Sequence, residues 1–186
     1  MTYKKLILKL LYFVFLTGYE VHGIEKIPEG PALIVYYHGA TSVDYHFFVC
    51  NLYIQTGRVS YSVVERALRL IPGLQLYLKL LTAVYGGREQ CVEILKKGNL
   101  LGVAPGGARE SFFSDENYGI LWGNRKGFAQ VAIDAKVPII PMYTENVREA
   151  YRSLRETSKI YCTSNIFFLQ MSEMVFFTCM SEEIFF

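Results

Sequence analysis

The sequence predicts an α/β domain, a largely parallel sheet flanked by helices, with a membrane-associated helix before it. Three observations carry that expectation. Short continuous apolar runs alternate with stretches of helical spacing, the pattern of helices packed over a parallel sheet. Glycine or proline punctuates most changes of period. The chain is also long enough, at 186 residues, for one domain with a real core, and too short for two comfortable ones.

The opening "KKLILKLLYFVFL" is basic, apolar and aromatic, but Lys9 interrupts it and no small-residue cleavage site follows. It falls well short of the about twenty apolar residues a bilayer span needs. The pattern fits a helix lying in the membrane interface; an ordinary core helix is the alternative. "ALIVYY" (32–37), after the turn signal "PEGP", reads as a buried strand. From Val43 to about Gln55 an apolar, aromatic stretch reads as a helix that Gly57 ends. "VSYSVV" (59–64) alternates well enough for a second strand. "ERALRLIPGLQLYLKLL" (65–81) is helix-like but broken at Pro72–Gly73, which gives two short helices or one kinked helix.

"TAVY" (82–85) is the third strand. "REQCVEILKKG" sets Cys91, Ile94 and Leu95 on one helical face and stops at Gly98. "LLGVA" (100–104) is the fourth strand. "GFAQVAIDAK" has Phe128, Val131, Ala132 and Ala135 at helical spacing, and "VPIIPMY" (137–143) makes a fifth strand. "ENVREAYRSLRE" reads as a charged surface helix. The division is therefore 1–18 for the membrane-associated helix, 19–156 for the α/β domain and 157–186 for a divergent apolar tail without clear period.

Composition narrows the function. Hydrophobic residues make up 52% and charged ones only 19%, with a mean hydropathy of +0.21. That excess needs a lipid-facing surface, a long apolar tunnel or a membrane-bound segment. A net charge of +2 offers no basic field for nucleic acid. The four cysteines lie far apart with no paired spacing suited to zinc, and there are only three histidines, so no metal is expected and reduced thiols are.

The chemistry-bearing stretch is "VYYHGATSVDYHFF". An apolar strand ends at His38, and Asp44 opens the next helix. With three histidines and 17 acidic residues, an acid at a set offset from a histidine arises by luck about a quarter of the time. Context strengthens the pair, because open α/β sheets place ligands at the carboxyl ends of their strands. Asp44 in the first helical turn could reach the imidazole. The bland alternative is a buried histidine satisfied by a helix-capping aspartate. "VAPGGARE" ends a strand in Gly106 and Gly107, whose amides could converge on an anion or oxyanion, and then presents Arg109. "VYGGRE" repeats the design with Arg88. Either alone reads sooner as a tight turn with a solvated arginine.

Taken in order, these three blocks and "VPIIPM" resemble the four motifs of the glycerolipid acyltransferase superfamily. The resemblance runs from about Gly23 to Arg155. "HGATSVD", "PGGARE" and "LWGNRKGFAQVAIDAKVPIIPM" look most like its diacylglycerol-acyltransferase-like branch. Two departures from the commoner pattern stand out: five residues rather than four separate His38 from Asp44, and Pro105 stands where a glutamate usually precedes glycine. The resemblance implies a membrane-associated O-acyltransferase of the endoplasmic reticulum, its catalytic face cytosolic. It would move an acyl group from acyl-CoA, or another acyl lipid, to a mono- or diacylglycerol, making triacylglycerol. Alternatives are a lysophosphatidate-type acyltransferase and a catalytically dead lipid-binding form. His38 would be the general base and Asp44 its partner, with Arg88, Gly106, Gly107 and Arg109 binding substrate. The implied partners are lipid substrates and the membrane; acyl-CoA is a co-substrate and no other cofactor is implied. No "GxSxG" elbow supports a serine-hydrolase route.

Overall fold

The computed structural model describes residues 20–39, 42–114, 117–145 and 147. Among these, five strands form one sheet: β1 (Ala32–Tyr36), β2 (Ser60–Val63), β3 (Ala83–Val84), β4 (Leu100–Val103) and β5 (Ile139–Met142). All pairings are parallel and the spatial order is β3-β2-β4-β1-β5. The described helices are α1 (Val43–Thr56), α2 (Leu74–Leu80), α3 (Arg88–Lys96), α4 (Gly107–Phe113) and α5 (Gly127–Ala135), with 3-10 turns at Ile24–Lys26 and Arg66–Leu70.

β1 explains the layering. It is buried along its whole length, since it has a strand on each side and helices over both faces. Ala32, Ile34 and Tyr36 face Tyr45, Phe48, Val49 and Leu52 of α1. Leu33 and Val35 face Cys91 and Leu95 of α3 and Val131 and Ala132 of α5. Burying each large aliphatic side chain contributes roughly 1.5–3 kcal/mol, so a continuous apolar strand between two helical layers is the favoured centre of the fold. β5, on the edge, is half exposed, and there Pro141 is tolerated because an edge strand has one side with no ladder to serve.

Gly102 admits the aromatic layer. A Cβ on it would lie 1.8 Å from the Tyr45 hydroxyl oxygen. With hydrogen there instead, Tyr45 stacks on Tyr36 at 4.0 Å between ring centroids and its hydroxyl meets Ser60 Oγ at 3.0 Å. α1 ends at Gly57, whose φ of 72° is a left-handed conformation that a side chain would strain.

The five expected strands are all present within a residue or two at either end. The stretch 65–81 resolves as a 3-10 turn and a short helix separated at Pro72–Gly73. α4 was not expected: "GARE" reads in the sequence as the end of a tight turn, yet it starts a helix of seven residues. The membrane-associated helix, the tail and nearly all of the charged helix after Glu145 lie outside the described residues. Among the described residues, no helix is long and apolar enough to cross a membrane.

Candidate active site

Strand register brings the motifs together. Val35 of β1 lies opposite Val103 of β4, so His38 and Gly106, each three residues on, leave the sheet side by side. On the other flank Tyr36 lies opposite Met142, which sets Thr144 level with His38. The chain leaving β1 enters α1 on one face, whereas the chain leaving β4 goes on to α5 on the other. Adjacent strands sending their helices to opposite faces open a crevice at their carboxyl ends, where α/β sheets bind ligands.

His38 is held by both ring nitrogens. Nδ1 lies 2.8 Å from the Gly39 carbonyl oxygen, which can only accept, so Nδ1 carries the proton in the neutral ring. Nε2 is then a bare acceptor, and the Ser42 hydroxyl donates to it at 3.0 Å. Ser42 occupies the N-cap of α1 but makes no side-chain cap bond, its hydroxyl being turned to the imidazole.

Asp44 sits in the first turn of α1 and is buried. Burial pushes its carboxyl up to about 6, while hydrogen bonds from the Tyr45 amide, the Thr144 hydroxyl and its own amide pull the other way. The Thr144 bond, 3.1 Å to Oδ2, ties the end of β5 to the start of α1. His46, one turn into α1 from Ser42, has its Nδ1 2.7 Å from the Tyr77 hydroxyl. Burial and then nearby His38 lower its pKa to about 4, so it stays neutral.

One of the two amides of the glycine turn is already engaged within the turn. The Gly107 amide already donates to the Ala104 carbonyl at 3.1 Å. Arg125 Nη1 clamps the turn from outside, at 2.8 Å from the Gly106 carbonyl and 3.3 Å from that of Pro105. Beneath it lies Glu110, fully buried, its Oε2 accepting the His38 backbone N–H at 2.9 Å and its Oε1 that of Leu121 at 3.3 Å. Arg109, next to it, is exposed on α4.

Arg88 is not brought to His38. It follows edge strand β3, three strand spacings or about 14 Å from β1, and its guanidinium pairs with Asp134 of α5. Two surface concavities, about 420 and 600 Å³, lie around α3 and are lined by neither His38 nor Asp44. Chemistry, not shape, locates the site. Among the described residues, no three His, Cys, Asp or Glu side chains gather where a metal ion could be held.

Glu110, Ser42, Thr144 and Arg125 were missed by sequence reasoning. Glu110 had a usable signal, since it stands four residues after Gly106 and a helix starting there would lay it over a residue with no side chain.

The model of the family described as "Acyltransferase" matches residues 18–145, which include every one of these groups. The chain belongs to the acyltransferase family. Among curated relatives of this chain, a Mus musculus protein named "DGAT1/2-independent enzyme synthesizing storage lipids" is 59% identical over 140 residues, 75% of this chain and 43% of its own. Proteins of the same name from Homo sapiens and Gallus gallus are 57% and 58% identical, over 75% and 74% of this chain and 44% and 41% of theirs. The chain thus spans less than half the length of the curated relatives it matches. No solved structure matches it.

Proposed function

We propose that the protein is a membrane-associated O-acyltransferase of the endoplasmic reticulum, its active face cytosolic. It moves a fatty acyl group from acyl-CoA to the hydroxyl of a mono- or diacylglycerol, making triacylglycerol. One observation carries the reading beyond the family: His38 Nε2, bare of hydrogen, already accepts a hydrogen bond from a hydroxyl at 3.0 Å. An acceptor alcohol needs the same geometry. As the alcohol oxygen bonds to the thioester carbonyl carbon, Nε2 takes its proton. The C–S bond then breaks and the thiolate leaves as a thiol, protonated by the imidazolium. Asp44, in its ionised form, favours that imidazolium. Arg109 serves the donor or the turn at Gly106. Arg88 meets only a part of a long donor well removed from the reacting carbonyl.

The name of the relatives supports a storage-lipid product. The test is to supply labelled acyl-CoA with diacylglycerol to isolated membranes containing the protein and to identify the labelled lipid. Label confined to phospholipid would defeat the neutral-lipid reading. The exposed cation Arg109 beside the site favours lysophosphatidate as the second acceptor to examine. If Arg109 reads an acceptor phosphate, Arg109→Ala raises the KM for lysophosphatidate far more than that for diacylglycerol. On the preferred reading it lowers turnover or raises donor KM, with the diacylglycerol KM little changed.

A further inference from the structure

We propose that Glu110 is a positioning residue: its buried carboxylate fixes the backbone at His38, and through it the direction in which the imidazole presents Nε2. The inference rests on His38 being the base. Glu110 is the one fully buried acid among the described residues. A carboxylate is removed from water only where strong donors replace the water. Its donors include backbone amides from two different segments: His38, just past β1, and Leu121, in the stretch leading to α5.

The first bond matters most for the chemistry. His38 lies beyond the last ladder residue of β1, Tyr36, so the sheet no longer holds its amide. Glu110, 72 positions along the chain, holds it instead. The rest of the turn is shaped around this carboxylate. A Cβ on Gly106 would lie 2.4 Å from the Glu110 Cβ, Cδ and Oε2, so the glycine is needed for the carboxylate to pass. Arg125 fixes the same turn through the carbonyls of Pro105 and Gly106. Glycine, arginine and glutamate thus form one support that reaches the catalytic strand end at the His38 amide nitrogen. Each of the ring's own contacts, with Gly39 O and Ser42 Oγ, depends on where that backbone sits.

The mode of action predicts the defect. Glu110→Gln keeps size but exchanges one acceptor oxygen for an NH2 group, which then faces a backbone N–H. The imidazole remains, its hold loosened, so kcat falls by about 10- to 100-fold while the acceptor KM changes less than about threefold. Glu110→Asp keeps the charge and draws the carboxylate back by one methylene; it gives the same loss and carries the test if the glutamine variant does not fold. Both are measured in the full chain in membranes, with melting temperatures, beside His38→Ala and the His38→Ala/Glu110→Gln double variant. If Glu110 acts through His38, the second substitution costs nothing further once the imidazole is gone. A folded Glu110→Gln or Glu110→Asp with wild-type kcat, while His38→Ala is inactive, overturns the proposal and leaves the base assignment standing. So does a further drop in the double variant. Near-normal activity of His38→Ala overturns the base assignment, and the Glu110 proposal with it.

Discussion

At the residue scale, His38 and Asp44 differ in what their surroundings permit. His38 has its proton placed on Nδ1 by a backbone carbonyl, and its other nitrogen meets a hydroxyl. Asp44 is a buried acid whose carboxyl is pushed up to about 6, chiefly by loss of water. Because the folded value lies above the ordinary 3.8, the folded state holds this proton more tightly than the unfolded chain. Its contribution to stability is full below the unfolded value and is lost as pH rises through about 6, a swing of up to about 3 kcal/mol. Asp44→Asn should therefore raise the melting temperature at pH 7 by a few degrees, change it little at pH 4, and still lower turnover. Loss of turnover together with loss of melting temperature at pH 7 would reduce Asp44 to a helix cap. In the wild type, activity should decline as pH falls through about 6, where the carboxylate that favours the imidazolium is neutralised.

At the element scale, the loops after β1, β4 and β5 make the site, and the aromatic layer under α1 holds them in register. Gly102→Ala drives a methyl into the Tyr45 hydroxyl, and Tyr45 directly follows Asp44. Overpacking of this kind costs about 1–3 kcal/mol, to be read as a lower urea midpoint, and it should reduce activity as well. An unchanged midpoint would mean that the Tyr36–Tyr45 stack does not hold α1 against the sheet. The strands were legible in the sequence because a parallel strand covered on both faces is written as an unbroken apolar run. α4 was not, since seven residues opening on a pair of glycines are too few to carry a period. Gly106 and Gly107 were found as a turn, but the hydrogen bond from Gly107 to Ala104 depends on backbone geometry that composition does not encode. Arg88 looked equivalent to Arg109 because both follow paired or near-paired glycines; only strand order puts one at the edge and the other beside the centre.

At the scale of the whole molecule, the order of four motif blocks carried the family, and the topology brings the ends of their strands to one side. Each block ends or follows a strand, and parallel strands send those ends to one side. The Glu110 support escaped notice because burial of a charge is a tertiary fact, settled by which amides come within reach. Attachment to membranes is a separate expectation resting on the basic, aromatic opening residues. Deleting residues 1–16 should shift the protein from the pellet toward the soluble fraction, and unchanged pelleting would move the attachment elsewhere. The proposed function has this site pass an acyl group to a neutral lipid hydroxyl with His38 as base. Its most direct test adds radiolabelled acyl-CoA and diacylglycerol to isolated membranes carrying either the wild type or His38→Ala. Labelled triacylglycerol is expected from the wild type, at a rate about 100- to 10,000-fold lower from the variant. Equal triacylglycerol labelling by the two, or label that enters only phosphatidate, would contradict it.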